Sequence, residues 1–348
     1  MSSAPTSTAP LRDILLKLCR REDLTRDEAR AAFSHVMSGE ATDAQIGGLL
    51  VGLAAKGTTA EELVGAATVM REKAVTIECD RAAGVIIDTC GTGGDVRGTF
   101  NISTAAALII AAAGVRVVKH GNRSASSKSG SADVLERLGV KLDLGPEQLK
   151  SCLEAAGICF AFARYHHPAM KFVANARTSL GIPTVFNLLG PLTNPARAKH
   201  QLLGVFAPEL TDRLATVLHE LGSERAWVVN AYDGLDELST LGPTRVSELK
   251  DGRVHTWTLD PEQLGLPYAR LSDLQVSSVD EAADMLRLVM QGQTGPTRDI
   301  ALLNAAAGLV IAGEAADLKD GLQRAAEAID SGRAERTLDK LVKASHAS

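Results

Sequence analysis

A change of hydrophobic period near residue 80 constrains this chain more than any other feature. Before it, capping-box patterns recur at Thr25 with Glu28, Thr42 with Gln45 and Thr59 with Glu62. Each pairs a hydroxyl acceptor with a reciprocal side chain at a helix start. They predict three helices after a first one over Leu11 to Cys19, with Gly39 and Gly57 stopping two of them. One of these helices carries Ile46, Gly47, Gly48, Leu50, Val51 and Leu53, where small residues among large ones admit a close neighbour. That neighbour is either another helix of the same chain or a second subunit.

From Val85 the pattern becomes short β-branched runs alternating with helices. Val85 to Ile87, Val115 to Val118, Ile158 to Phe162, Leu202 to Phe206 and Trp227 to Val229 are bounded by Gly, Asp or Asn and read as buried strands. Helices are expected near Ser103 to Ala113, Ser131 to Leu138, Pro146 to Ala156, Pro168 to Leu180 and Pro208 to Leu221. Arg245 to Leu249 and Arg253 to Thr258 flank Asp251-Gly252 as a hairpin, and from about Val279 the chain is Ala/Leu-rich helix. The expected class is α/β: a small N-terminal helical domain plus a larger α/β domain with a central, largely parallel sheet flanked by helices. The expected boundaries are a tail over 1–10, a helical domain over 11–78 joined by helices from about 167–198, and an α/β domain over 79–348, with a cleft between the parts.

Composition narrows the partners. With 348 residues, 45% hydrophobic, the chain can fill two unequal cores. Its net charge is -5 with signs interspersed, which leaves no basic stripe for a nucleic-acid backbone. Five scattered cysteines without a C-x-x-C pair argue against a disulfide framework or zinc, and fit a reducing cytoplasm. MSSAPTSTAP has no apolar segment of the signal-peptide kind, and no apolar run is long enough for a bilayer, so no membrane role is expected.

The chemistry concentrates between Asp88 and Ser131. DTCGTGGD ends a strand and runs into glycines whose N–H groups can turn toward phosphate. The spacing is neither that of a dinucleotide fingerprint nor that of a Walker loop: Val96 stands where the first needs Gly, and Gly98-Thr99-Phe100 where the second needs Gly-Lys-Ser/Thr. TFNIST then opens an Ala-rich helix with Asn101, Ser103 and Thr104 at its entrance, an anion site or a plain N-cap. VVKHGNRSASSKSGS follows, with Lys119, His120, Gly121, Asn122 and Arg123 ahead of a run of small hydroxyl residues. Three successive polar loops at strand ends should converge on one sheet edge, as one ligand with several phosphates requires. Downstream, YDGLDELS places Asp233, Asp236 and Glu237 after another strand, where carboxylates can share magnesium with substrate phosphates.

GTGGD, NIST, KHGNR and the Asp236-Glu237 pair, with HHPAMK from His166 to Lys171 and FNLLGPLTNPA from Phe186 to Ala196, run in one order over most of the chain. In this combination the sequence resembles the anthranilate phosphoribosyltransferase family of tryptophan biosynthesis. The resemblance implies that phosphoribosyl pyrophosphate is held by Gly91, Gly94, Asp95, Thr99, Asn101, Ile102, Ser103, Thr104, Lys119, His120, Gly121, Asn122, Arg123, Ser124, Ala125, Ser126, Ser127 and Ser131. It implies Mg2+ as cofactor at Ser103, Asp236 and Glu237, and anthranilate at Gly91, Asn122 and Arg177. A guanidinium fork suits the anthranilate carboxylate. It further implies a cytoplasmic homodimer. His120 suggests a general base, but its neighbours suggest an orienting or ligand-contacting role at least as strongly, so no catalytic residue is assigned firmly. His166 and His167 either line the anthranilate entrance or cap the following helix. Pro183 departs from the Arg that many members carry, which puts in doubt a second basic residue beside Arg177. Pyrimidine-nucleoside phosphorolysis and a non-catalytic nucleic-acid-binding role are the alternatives.

Overall fold

The structure is a computed structural model that describes residues 11–80, 82–94, 97–123 and 129–347. Asp95, Ser124, Ala125, Ser126 and Ser127, expected in the phosphate site, lie outside the described residues. In chain order the helices are α1 (Leu11–Cys19), α2 (Arg26–Met37), α3 (Asp43–Lys56), α4 (Ala60–Glu72), α5 (Ile102–Ala112), α6 (Ser131–Arg137), α7 (Pro146–Ala156), α8 (Ala163–His166), α9 (Ala174–Leu180), α10 (Val185–Leu189), α11 (Leu210–Glu220), α12 (Val279–Met290), α13 (Pro296–Ala312), α14 (Leu318–Asp330) and α15 (Arg333–Ser345). The strands are β1 (Ile86–Gly91), β2 (Arg116–Gly121), β3 (Ile158–Phe162), β4 (His200–Gly204), β5 (Arg225–Ala231), β6 (Thr244–Lys250) and β7 (Arg253–Leu259).

The chain divides into two compact units. One comprises the residues up to Ala74 together with His167–Thr193; the other comprises Val75–His166 and the residues from Asn194 onward. In the first unit all three capping boxes form, each hydroxyl accepting from the N3 backbone N–H while the N3 side chain returns the bond. Glu62 does more than cap. Buried at 1% exposure, it accepts from Thr59 N and Leu24 N and pairs with Lys56 at 3.1 Å, so α3, α4 and the turn before α2 share one carboxylate. α3 packs on α1 through its small residues: a Cβ on Gly52 would lie 2.9 Å from Leu18 Cβ. The helix expected over Pro168 to Leu180 is broken. Pro168–Phe172 is a 3-10 turn and α9 starts only at Ala174. Phe172 lies so close over Gly39 that a Cβ there would stand 2.6 Å from the ring, a tertiary contact that overrides the helical preference of the segment.

The second unit is built on a seven-stranded sheet in the order β3-β2-β1-β4-β5-β6-β7. β1 to β5 are parallel; β6 and β7 return antiparallel, turning at Asp251 and Gly252, both at positive φ. The parallel strands are buried along nearly their whole length, which is why they read as continuous apolar runs. α5 and α13 are buried almost all round, as helices rich in Ala, Leu and Ile must be, and they pack directly on each other. Strand order reverses between β1 and β4, and the crevice at such a switch point is where open α/β sheets bind ligands. Gly91 and Gly204, partners in register, sit there at the carboxyl ends of the two strands.

Candidate active site

The segment expected to supply two successive loops is a single connection from β1 to α5. Thr92 N donates to Gly204 O at 2.9 Å, and Gly93, Gly94 and Gly98 take φ of 64°, 90° and 69°, a region that only glycine enters readily. The far end is fixed by an antiparallel bridge between Thr99 and Gln275, with Phe100 N donating to Leu274 O and Val276 N to Gly98 O. Asn101 then precedes α5 without capping it. Its side chain exchanges two 3.3 Å hydrogen bonds with Ser129, which ties the start of α5 to the approach of α6.

Ser103 is the junction of the site. Its backbone N donates to Glu237 Oε1 at 3.1 Å, its carbonyl accepts from Thr89 Oγ1 at 2.9 Å, and its Oγ accepts from Lys119 Nζ at 3.2 Å. A carboxylate therefore stands at the N-terminus of α5, where the free N–H groups and the helix dipole favour negative charge. Asp236 Oδ2 accepts from Gly93 N at 3.1 Å. The crevice tolerates no side chain at two places. A Cβ on Gly91 would sit 2.7 Å from Asp236 Oδ2, and one on Gly204 would sit 1.5 Å from the Asp236 carbonyl oxygen.

Two ionisable side chains on β1 and β2, Asp88 and Lys119, are buried. Asp88 is 0% exposed; it accepts from His120 N at 3.0 Å and from Asn194 Nδ2 at 2.8 Å. Desolvation pushes its pKa up to about 6, partly offset by the Lys119 ammonium and these donors. Burial pulls Lys119 down, and Asp88 is the chief charge acting against it. Lys119, His120 and Gly121 are the last residues of β2, so their positions follow from the sheet register. Asn122 Oδ1 accepts from Arg123 N at 2.9 Å, and its carbonyl accepts from Ala132 N and Ser131 Oγ. The Arg123 guanidinium pairs with Asp133 and Glu136, both at 2.7 Å, so its charge is already met by protein carboxylates.

Arg177 belongs to the helical unit, on α9. It is half-buried, its guanidinium lies 5.3 Å over the Phe186 ring, and desolvation lowers its pKa. Among the described residues it has no carboxylate partner. The side chain of His167 does not cap the 3-10 turn that it precedes, and His166 Nδ1 meets Val75 O at 2.7 Å while its carbonyl accepts from Val75 N. His166 Nε2 is buried without a partner among the described residues, and desolvation lowers its pKa below 6.5. Because the folded-state value is depressed, this neutral imidazole supports the fold above pH 6.5 and that support is lost as pH falls below it. Melting temperature should therefore decline with acid below that point, and less steeply in His166→Asn. Parallel curves for the two proteins would rule His166 out as a cause.

Some residues of the site were not singled out from the sequence. Gly204 carries a signal, an isolated glycine inside a strand run, which marks close backbone approach. Asn194 and Asp88 stand beside recognisable motifs but show their buried partnership only in three dimensions.

Two family descriptions match the chain: the glycosyl transferase family helical bundle domain over residues 12–74, and the glycosyl transferase family a/b domain over residues 83–335. The anthranilate phosphoribosyltransferase of Parvibaculum lavamentivorans is 53% identical over 96% of the chain and 97% of its own length. That of Methylobacterium nodulans is 52% identical over 96% and 98%. Among solved structures, the anthranilate phosphoribosyltransferase of Thermus thermophilus superposes with a TM-score of 0.90 at 43% identity, covering 96% of this chain and all of that one. The Saccharomyces cerevisiae enzyme, solved in complex with PRPP and Mg, gives 0.88 at 28% identity, covering 96% of this chain and 97% of that one. The chain belongs to the anthranilate phosphoribosyltransferase family of glycosyl transferases.

Proposed function

We propose that the protein transfers the phosphoribosyl group of phosphoribosyl pyrophosphate to the amine of anthranilate, releasing pyrophosphate, with magnesium as cofactor. The observation that carries this reading is the junction at Ser103, where strand β1 through Thr89, the end of β2 through Lys119, the N-terminus of α5 and the acidic loop after β5 through Glu237 meet within hydrogen-bonding distance. The residues fit magnesium: Asp236, Glu237 and the Ser103 hydroxyl are hard oxygen donors, and two carboxylates leave coordination positions for phosphate and water oxygens. The missing side chains at Gly91 and Gly204 let Asp236 sit directly against the ends of β1 and β4. Magnesium, when bound, would neutralise charge that builds on the departing pyrophosphate.

The chain's own groups supply the rest. Backbone N–H groups of the glycine loop and the Lys119 ammonium offer donors to the phosphates, preorganised by the strand ends that carry them. The anthranilate amine is neutral near pH 7, so its attack on the anomeric carbon needs alignment more than a base. The C–N bond forms as the C–O bond to pyrophosphate breaks, with inversion and no covalent enzyme intermediate, and the amine proton leaves afterwards. Arg177 takes the anthranilate carboxylate, a reading supported by its half-buried charge, which has no carboxylate partner among the described residues. Gly91 and Asn122 are proposed to contact the same substrate. The other residues named above for phosphoribosyl pyrophosphate keep that proposed role, with Arg123 contributing backbone and not charge.

We also propose the helical domain over 11–78 with helices from about 167–198, the α/β domain over 79–348, and a cytoplasmic homodimer. A Cβ added at Gly47 would meet no neighbouring side chain or other element within 4 Å among the described residues, and Leu16 and Val51 of the helical unit are exposed, which suits a second copy there. The names of the relatives support the transferase over nucleoside phosphorolysis or nucleic-acid binding.

Fluorescence of anthranilate should fall only when phosphoribosyl pyrophosphate and magnesium are both present. No consumption at any magnesium concentration would sink the reading. In the same assay Arg177→Ala should raise the KM for anthranilate roughly 10- to 100-fold, the worth of a charged hydrogen-bonded pair, with a smaller change in the KM for phosphoribosyl pyrophosphate. Equal changes in both would remove Arg177 from the anthranilate site.

A further inference from the structure

We propose that Asn304 is a positioning residue that sets the direction of the Asp236 and Glu237 carboxylates; this rests on the magnesium role given to them above. Asn304 lies in the middle of α13 and is the single polar side chain in the run IALLNAAAGLVIA. It is 0% exposed, and an amide so buried is tolerated only when its hydrogen bonds are made. They are made to one residue of the acidic loop and to the helix itself. Oδ1 accepts from Leu238 N at 3.1 Å, and Nδ2 donates to Leu238 O at 2.8 Å and to Ile300 O at 2.9 Å. The side-chain amide thus reads both backbone groups of Leu238, as a neighbouring strand would.

Leu238 immediately follows Glu237. On the upstream side the loop is closed by its own turn, with Gly234 N donating to Ala231 O, Ala231 N to Leu235 O, and Leu235 N to Asp233 Oδ1. Asp236 and Glu237 are the two residues between these anchors, and their carboxylates reach Gly93 N and Ser103 N. Ser239 N is held separately by Thr244 Oγ1 at 3.0 Å, so loss of the Asn304 bonds loosens the loop at Leu238, next to Glu237, and changes the direction of the two carboxylates while the approach to β6 stays in place. A helix packed on α5 holds one side of the site, and the loop supplies the ligands.

Asn304→Asp keeps volume and the acceptor for Leu238 N but sets a second oxygen against Leu238 O and Ile300 O. Asn304→Ser, smaller and able to donate one bond, serves if the first variant does not fold. The readout is the stabilisation that phosphoribosyl pyrophosphate confers against heat, titrated with magnesium, alongside steady-state kinetics. We expect folded variants whose magnesium midpoint for that stabilisation rises about tenfold, with a raised KM for phosphoribosyl pyrophosphate and an unchanged KM for anthranilate. A lower melting temperature with the wild-type magnesium midpoint would make Asn304 merely structural and overturn the proposal. A wild-type protein that phosphoribosyl pyrophosphate fails to stabilise would overturn the functional reading itself, a distinguishable failure.

Discussion

Asp236→Asn combined with Glu237→Gln is expected to lower turnover on the order of a thousandfold or more, while the melting temperature stays within a few degrees of wild type. The asymmetry follows from what each oxygen does. Asp236 Oδ2 and Glu237 Oε1 accept one backbone N–H each, from Gly93 and Ser103, and an amide oxygen can accept the same bonds. What the amides cannot supply is negative charge for a divalent cation, and Asp and Glu are the ligand types on which magnesium relies beside phosphate. The anion position at the start of α5 would become neutral, a loss of about 0.3–1 kcal/mol at most sites of this kind, small against a whole domain. Turnover within tenfold of wild type at saturating magnesium would show that the cation is held elsewhere. A large fall in melting temperature would show instead that the two charges serve the fold.

The parts of the fold legible in the sequence were those whose signal is local. Thr25, Thr42 and Thr59 announce their helices because a capping box is complete within four residues. Ile158–Phe162 is bounded where its apolar run ends, since a strand buried on both faces has no polar positions to blur its limits. The strands β1, β2 and β5 run further than their apolar stretches: their ends, Asp88 to Gly91 and Lys119 to Gly121 among them, carry polar or small residues that no apolar run announces. There pairing with the neighbouring strands overrides the propensity that sequence reading relies on. β4 begins earlier than its apolar run, at His200, and ends at Gly204, leaving Val205 and Phe206 to the turn that meets Thr92.

What stayed hidden depended on contacts distant in sequence. The break before α9 follows from the ring of Phe172 over Gly39. Asn304 looks like an interruption in an apolar helix until Leu238, sixty-six positions away, is seen against it. Asp88 reads as the polar end of a strand, and only the register of β1 against β2, with Asn194 arriving from a later segment, turns it into a buried hub.

Gly204→Ala is the single-atom-scale change with the largest expected effect. The added methyl would fall 1.5 Å from the carbonyl oxygen of Asp236 and 2.6 Å from its carbonyl carbon, and both are backbone atoms that no rotamer change can move aside. Either the end of β4 leaves its register against Gly91 or the acidic loop lifts off the sheet, and overpacking of this kind costs about 1–3 kcal/mol or more. The loop is the softer element, since β4 is hydrogen-bonded on both sides, to β1 and to β5. Lifting the loop carries the Asp236 and Glu237 carboxylates away from Gly93 N and Ser103 N, so turnover should fall on the order of a hundredfold or more through misplacement alone. Gly91→Ala approaches the same loop differently, at 2.7 Å from Asp236 Oδ2, the end of a side chain that can rotate. It should therefore keep more stability than Gly204→Ala while still raising the magnesium concentration needed for half-maximal activity. Gly242→Ala, where the methyl meets nothing within 4 Å, is the control and should be close to neutral. Thermal melts and magnesium titrations of the three variants decide the matter: if Gly204→Ala matches the control in both, the Asp236 backbone does not rest on β4, and the crevice is not what holds the carboxylates in place.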